Sequence, residues 1–267
     1  MLSRQTIRNL PNNNRFYILI FSVLLSLFVF CLGRSQIPGD QLFYIRTEQL
    51  YGFIAVTFLY IALVISPVEK IIGKREWIKN LLFARRAIGV SAAYFAFLHA
   101  AVALWGQIGG FGGLVLLPER FVWAILFGAV ALTVLFLMAA TSFDRVIAFM
   151  TFRKWKWLHR FVYLGSVLII LHVWMIGTHV AYDWVQIVTF IPLSLLFGLE
   201  AWTIMSKLSE KHPEFKAKDY FWTIVACLWI ISSLLLLMLP ALVKNYHSEH
   251  HSEHGGSSHA HREDNRE

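Results

Sequence analysis

The chain has 267 residues, of which 57% are hydrophobic and 15% charged, with a formal net charge of +8. With a positive mean hydropathy, this composition describes an integral membrane protein and excludes a soluble enzyme domain. Apolar runs that are continuous, rather than alternating over about ten residues, exclude a closed β-barrel as well.

Seven apolar runs are each predicted to cross a bilayer: Phe16–Leu32, Leu50–Ser66, Ala87–Trp105, Phe121–Thr141, Phe161–Ile176, Trp184–Met205 and Tyr220–Val243. The first follows Arg4, Arg8 and Arg15, as a signal peptide would. No small-residue cleavage site follows it, and Phe30 before Cys31 does not suit a lipoprotein site, so it is read as a retained helix. The fifth run is short unless it begins near Leu158, which takes His159 into the helix. The expected fold is therefore an all-α polytopic bundle of about seven helices. Residues 1–15 form a cytoplasmic N-terminus, 16–243 the membrane domain, and 244–267 a Ser-, Glu- and His-rich tail that is disordered in isolation.

The basic residues report topology. Threading the helices with the N-terminus inside places Arg4, Arg8 and Arg15 in the cytoplasm, followed by Lys70, Lys74, Arg75, Lys79, Arg85 and Arg86 in one inner loop. Arg145, Arg153, Lys154, Lys156 and Arg160 fall in the next, and Lys207, Lys211, Lys216 and Lys218 in the last. The opposite side keeps only Arg34, Arg46, Arg120, Lys244, Arg262 and Arg266. This asymmetry predicts an N-in, C-out orientation, and the positive charge implies no nucleic-acid partner. No glycine-rich dinucleotide fingerprint follows a predicted strand, and Gly109, Gly110, Gly112 and Gly113 read as an outer turn. Cys31 and Cys227 fall at opposite membrane depths, too far apart for a disulfide, and read as small apolar fillers.

Histidine in hydrocarbon is costly unless it is paired, faces a cavity or holds a metal. His99 in the third run and His172 in the fifth each lie about thirteen residues in from the cytoplasmic side, and so reach one depth. Two imidazoles at one level on different helices are suited to ligate a haem iron from opposite faces. The bland alternative is a pair of packing histidines bonded to neighbouring helices. His159 shares the predicted fifth helix with His172 but sits at the inner lip, among Trp155, Trp157 and several cations. It would serve a second haem with another kind of axial ligand, a quinone or flavin site, or simply an interfacial anchor. Arg85 and Arg86 at the inner side, and Arg46 at the outer side, are candidate partners for haem propionates or an anionic cofactor, or topology anchors. His179 and His212 read as ordinary polar residues. In the tail, His247, His250, His251, His254, His259 and His261 either gather divalent metal loosely or form a solvated terminus.

The stretch Arg85–Trp105, RRAIGVSAAYFAFLHAAVALW, resembles the ferric-reductase-like transmembrane domain superfamily. So do Arg46–Val68, RTEQLYGFIAVTFLYIALVISPV, and the segment WLHRFVYLGSVLIILH that ends at His172. Within that superfamily the likeness is to the MsrQ (YedZ) group of haem-binding membrane subunits, over roughly residues 30–205. The resemblance implies that His99, His159 and His172 are haem b ligands or essential histidines, with one or two haems. It implies electron flow outward from a cytoplasmic-side quinol, or from a flavin reduced by a separate enzyme. The acceptor would be an extracytoplasmic redox protein such as a methionine sulfoxide reductase, or ferric or cupric ion, and the setting a bacterial inner membrane. The family core has six helices; this chain adds a seventh and the tail. The four haem histidines and flavin domain of NADPH-oxidase and iron-reductase relatives are missing. The expected function is that of an oxidoreductase electron-transfer subunit. Two rivals are a metal-ion permease or sensor using the intramembrane histidines and the tail, and an assembly subunit without cofactor. The permease calls for acidic residues at mid-membrane, where the sequence has almost none; Glu200, the main candidate, lies towards the inner end of the sixth run.

Overall fold

The computed structural model describes residues 4–73, 75–176, 183–213 and 222–234. They form an all-α membrane bundle. Its elements are α1 (Arg4–Gln36), α2 (Asp40–Ile72), α3 (Glu76–Val102), α4 (Phe111–Leu114), α5 (Glu119–Ala140), α6 (Asp144–Met150), α7 (Phe152–Leu158), α8 (Phe161–Ile176) and α9 (Asp183–Lys211). A π-helical turn, Ala103–Gln107, continues α3. Among the described residues, six helical stretches are long and apolar enough to cross a membrane: Asn14–Gln36, Asp40–Ile72, Glu76–Gln107, Glu119–Ala140, Arg153–Ile176 and Phe190–Lys211. The seventh predicted run contributes a shorter apolar helix, α10 (Trp222–Leu234). The rest of that run, the tail from 244 with its six histidines, and His179 lie outside the described residues.

The helices outrun the apolar segments that announce them. α2 begins at Asp40, well before Leu50, because Arg46, Thr47, Glu48 and Gln49 interrupt the apolar run without breaking the helix, with Asp40 near the positive end of the helix dipole. The glycine-rich stretch is a turn, as expected, with Gly109 and Gly110 at φ 78° and 86°. Cys31 and Cys227 are both exposed, so neither fills a gap in the core as the sequence suggested.

The chain divides into two compact units, residues 1–172 and 173–267. In the first, α3 packs against α1, α2 and α5. Its contact surface is rich in small residues, with Ala87, Ser91, Ala92 and Ala93 all buried. That allows close approach between helices that gain nothing from burying apolar surface against each other in lipid. Interhelical hydrogen bonds supply specificity. Ser22 donates to Ser91 Oγ at 2.8 Å, the hydroxyls of Ser26 and Tyr94 bond at 2.8 Å, and Tyr51 donates to the Ser26 carbonyl at 2.9 Å. Each such bond contributes about 0.6–2 kcal/mol in a bilayer. Phe58 stacks on the fully buried Phe95 at 5.7 Å, closing the core between α2 and α3. In the second unit, Trp229 donates to Ser194 Oγ at 3.0 Å and Ser194 bonds Ser233 at 2.8 Å, tying α10 to α9.

At the predicted inner end, Asp144 opens α6 and joins three helices. Its carboxylate accepts from Arg86 of α3 at 2.5 Å and from Arg15 of α1 at 3.3 Å. The Arg86 hydrogen bond, with the Arg86 and Arg15 charges, holds its carboxyl below the usual carboxylate range. A carboxylate of depressed pKa stabilises the fold above its unfolded pKa, and the stabilisation is lost as pH falls through the folded value. Asp144→Asn therefore lowers the Tm of the detergent-solubilised protein at neutral pH. The loss stays below about 1 kcal/mol, because the group is largely exposed. The gap from wild type persists at pH 5 and closes only below about pH 4. A gap that is the same at pH 3 and pH 7 contradicts the assignment.

Candidate functional site

α3 carries His99 and α8 carries His172, and the shared depth inferred from the sequence brings them together. The two rings stand perpendicular with centroids 6.0 Å apart. Each ring is held by a different neighbouring helix in the same way. His99 Nδ1 lies 3.0 Å from the Glu48 carbonyl of α2. His172 Nδ1 lies 2.8 Å from the Ala124 carbonyl of α5. A carbonyl oxygen only accepts, so each Nδ1 carries the proton and a neutral ring keeps its lone pair on Nε2.

One helical turn beyond each carbonyl stands a glycine, and both are needed. A Cβ on Gly52 would meet His99 Nδ1 at 2.9 Å, and one on Gly128 would meet His172 Nδ1 at 2.7 Å. Only a bare backbone lets the imidazole lie against the helix closely enough to reach the carbonyl four residues earlier. Glu48–Gly52 and Ala124–Gly128 are thus two copies of one cradle. Nothing in composition or spacing marks these four residues in the sequence.

The copies differ in one respect. Position 48 is a glutamate, and its Oε1 lies 3.3 Å from His99 Nδ1, whereas Ala124 has no side chain to offer. Glu48 Oε2 accepts in turn from Gln107 Nε2, at the end of the π-helical turn. Besides Glu200, the main intramembrane acid expected from the sequence, α2 carries Glu48 within a spanning helix.

His159 is placed differently from the expectation. It does not share one continuous helix with His172. α7 ends at Leu158, His159 and Arg160 form a turn, and α8 starts at Phe161. The break is made by bonds of three-residue spacing, from Arg160 N–H to the Trp157 carbonyl and from Val162 N–H to the His159 carbonyl. The His159 ring packs on Trp155 with centroids 4.2 Å apart, and its Nε2 lies 3.4 Å from Thr141 Oγ1. Trp155 Nε1 donates to the Thr141 carbonyl at 3.0 Å, so this cluster fastens α7 to the end of α5. Thr151, a β-branched residue at φ 66°, makes the strained corner that enters α7.

The three arginines are engaged within the protein. Arg85 donates to the Ala62 carbonyl at 2.7 Å and to Ser66 Oγ at 2.6 Å, both on α2. Arg86 holds Asp144. Arg46 is exposed on the first turns of α2 and donates to Gln49 Oε1 at 3.3 Å. Among the described residues, no three or more His, Cys, Asp or Glu side chains are grouped to hold a metal ion.

Residues 51–170 match the family described as ferric reductase like transmembrane component. Over 176 residues the chain is 35% identical to the magnetosome protein MamZ of Paramagnetospirillum magneticum, covering 60% of this chain and 26% of that protein. It is 27% identical over 167 residues to the protein-methionine-sulfoxide reductase heme-binding subunit MsrQ of Azospira oryzae, covering 61% of this chain and 66% of that protein. The MsrQ subunit of Ralstonia nicotianae is 28% identical over 162 residues, covering 57% of this chain and 69% of that subunit. The chain spans about a quarter of the length of the MamZ proteins it matches. No solved structure matches it.

Proposed function

We propose that this chain, whose residues 51–170 match the family described as ferric reductase like transmembrane component, holds haem b between His99 and His172 and moves single electrons across the membrane. The observation that carries this reading is the paired cradle. Two imidazoles from different helices each commit Nδ1–H to a backbone carbonyl and keep Nε2 for another partner. A ligating histidine is normally oriented in this way, through a hydrogen bond at its other ring nitrogen. The spacing fits as well. Imidazoles on opposite faces of one ion, with metal–nitrogen bonds of about 2 Å and centroids about 1 Å behind the nitrogens, stand about 6 Å apart. Here the centroids are 6.0 Å apart.

A haem in that position supplies a one-electron couple whose potential follows its axial ligands, burial and nearby charge. The protein's own residues do the positioning. α2 and α5 present the carbonyls, Gly52 and Gly128 admit the rings, and the apolar helices around them keep water away. The exposed Arg46, two residues from Glu48, is the outer candidate for a propionate. Electrons enter on the His159 side, from a quinol or from a flavin reduced by a separate enzyme, and leave to an extracytoplasmic acceptor. The names of the MsrQ relatives, heme-binding subunits of a methionine sulfoxide reductase, favour a redox protein as acceptor over ferric or cupric ion. The orientation is N-in and C-out, in a bacterial inner membrane. The permease reading draws no support from the described residues, where no metal-holding cluster occurs and the membrane-embedded Glu48 is bound to His99 and Gln107.

The test is the visible spectrum and haem content of the purified chain, for which one haem per chain is expected; none overturns the proposal. His159→Ala is expected to keep that haem and to slow reduction by a quinol analogue roughly tenfold, equivalent to about 1.4 kcal/mol of barrier. Loss of haem in this variant instead makes His159 a ligand.

A further inference from the structure

The two cradles match in every part but one, and that difference has a chemical consequence. We infer that Glu48 is a positioning residue that sets the electron-donating strength of His99, giving the two faces of the site unequal ligands. This rests on the axial-ligand reading above. His99 Nδ1 is bonded to the Glu48 carbonyl at 3.0 Å, and the carboxylate of the same residue stands beside it, with Oε1 at 3.3 Å. His172 Nδ1 has its 2.8 Å bond to the carbonyl of an alanine. A negative charge beside Nδ1–H polarises that bond and makes the imidazole a stronger donor through Nε2. A stronger donor favours the oxidised metal, so Glu48 lowers the reduction potential.

The carboxylate is held for that purpose by the end of α3. Gln107 lies eight residues beyond His99 and in an ordinary α-helix would stand about 80° away from it around the axis, at about 100° per residue. The π-helical turn Ala103–Gln107, closed by the Ile108 N–H to Ala103 carbonyl bond at 3.0 Å, absorbs one residue. That returns Gln107 to within about 20° of the His99 face, where its amide donates to Glu48 Oε2. Gly106 permits the turn to close on α2, since a Cβ there would stand 2.6 Å from the Tyr44 ring. π-helical turns inside longer helices are often found at functional sites, and this one places a single amide on a single carboxylate. Glu48 is mostly buried, with its side chain 16% exposed, so its charge acts on His99 with little screening by water.

The experiment is a redox titration of the purified, haem-loaded protein, reading midpoint potential and haem content together. Glu48→Gln is expected to keep haem and to raise the potential by at least the equivalent of a tenfold change in the reduction equilibrium, 59 mV for a one-electron couple. Glu48→Asp keeps the charge but shortens its reach, and should fall between the wild type and Glu48→Gln. If Glu48→Gln keeps haem at the wild-type potential, Glu48 is merely structural and the inference is overturned. If neither holds haem, Glu48 builds the site without tuning it, which also overturns the inference. A wild type without haem refutes the axial-ligand reading itself, and is read before any variant.

Discussion

His99→Ala and His172→Ala each abolish the reduced-minus-oxidised haem b spectrum, while both variants still insert and run as folded protein in detergent. The expectation follows from how little else holds the group. Among the described residues these are the two imidazoles that share a level inside the bundle, and each reaches it from a separate helix. Removing an outer partner of a metal ligand costs 10- to 100-fold in affinity as a general rule; removing the ligand itself should exceed that, so little haem survives purification. The packing alternative predicts otherwise. A buried packing histidine has both ring nitrogens satisfied by protein or water, and its loss lowers stability and leaves any spectrum unchanged. If each alanine variant keeps the full haem complement, neither histidine is a ligand and the proposed function falls with them.

The His159 variant separates two pathways that the sequence left joined. Bonded to Thr141 and packed on Trp155, this ring serves the junction of α5 and α7. Its side chain lies at the turn where the predicted single helix breaks. Depth alone could not reveal that break. Helical periodicity is continuous through Trp157–Val162, and the three-residue bonds that tighten the turn leave no mark in composition.

Other parts of the molecule were legible for physical reasons that can be named. Length and apolarity announce a spanning helix because lipid offers the backbone no partners, so the all-α class was readable from the runs alone. The meeting of His99 and His172 was readable because helical rise converts residue number to depth. Glu48 was missed because an apolarity criterion starts α2 at Leu50, whereas helix propensity carries it back to Asp40. Gly52 and Gly128 were missed for a different reason. A glycine in a spanning helix is unremarkable until the neighbouring helix shows what presses against it. The same holds for Gln107, whose place depends on one extra residue accommodated by the π-helical turn.

Gly128→Ala should be the more damaging to haem binding of the two methyl additions in the cradles. The new Cβ would stand 2.7 Å from His172 Nδ1 and 2.9 Å from its Cε1, closer than real Cβ contacts allow. The ring must then leave the Ala124 carbonyl. That forfeits a hydrogen bond with a net contribution of about 1 kcal/mol. More importantly, it frees the ring to turn Nε2 away from the site. Haem affinity is expected to fall 10- to 100-fold, the usual cost of losing the bond that orients a ligating imidazole. Gly52→Ala should act in the same direction but less strongly. Its contacts with His99 are looser, at 2.9 and 3.2 Å, and the Glu48 carboxylate gives Nδ1 a second hold when the carbonyl is lost. Gly89→Ala in α3 is the control, since nothing lies within 4 Å of its added methyl. Haem titration of the three variants checks the order. Gly89→Ala should bind as wild type and gain slightly in Tm, because alanine favours the helix over glycine. Unchanged haem binding in Gly128→Ala would mean that the carbonyl cradle does not orient the ligand.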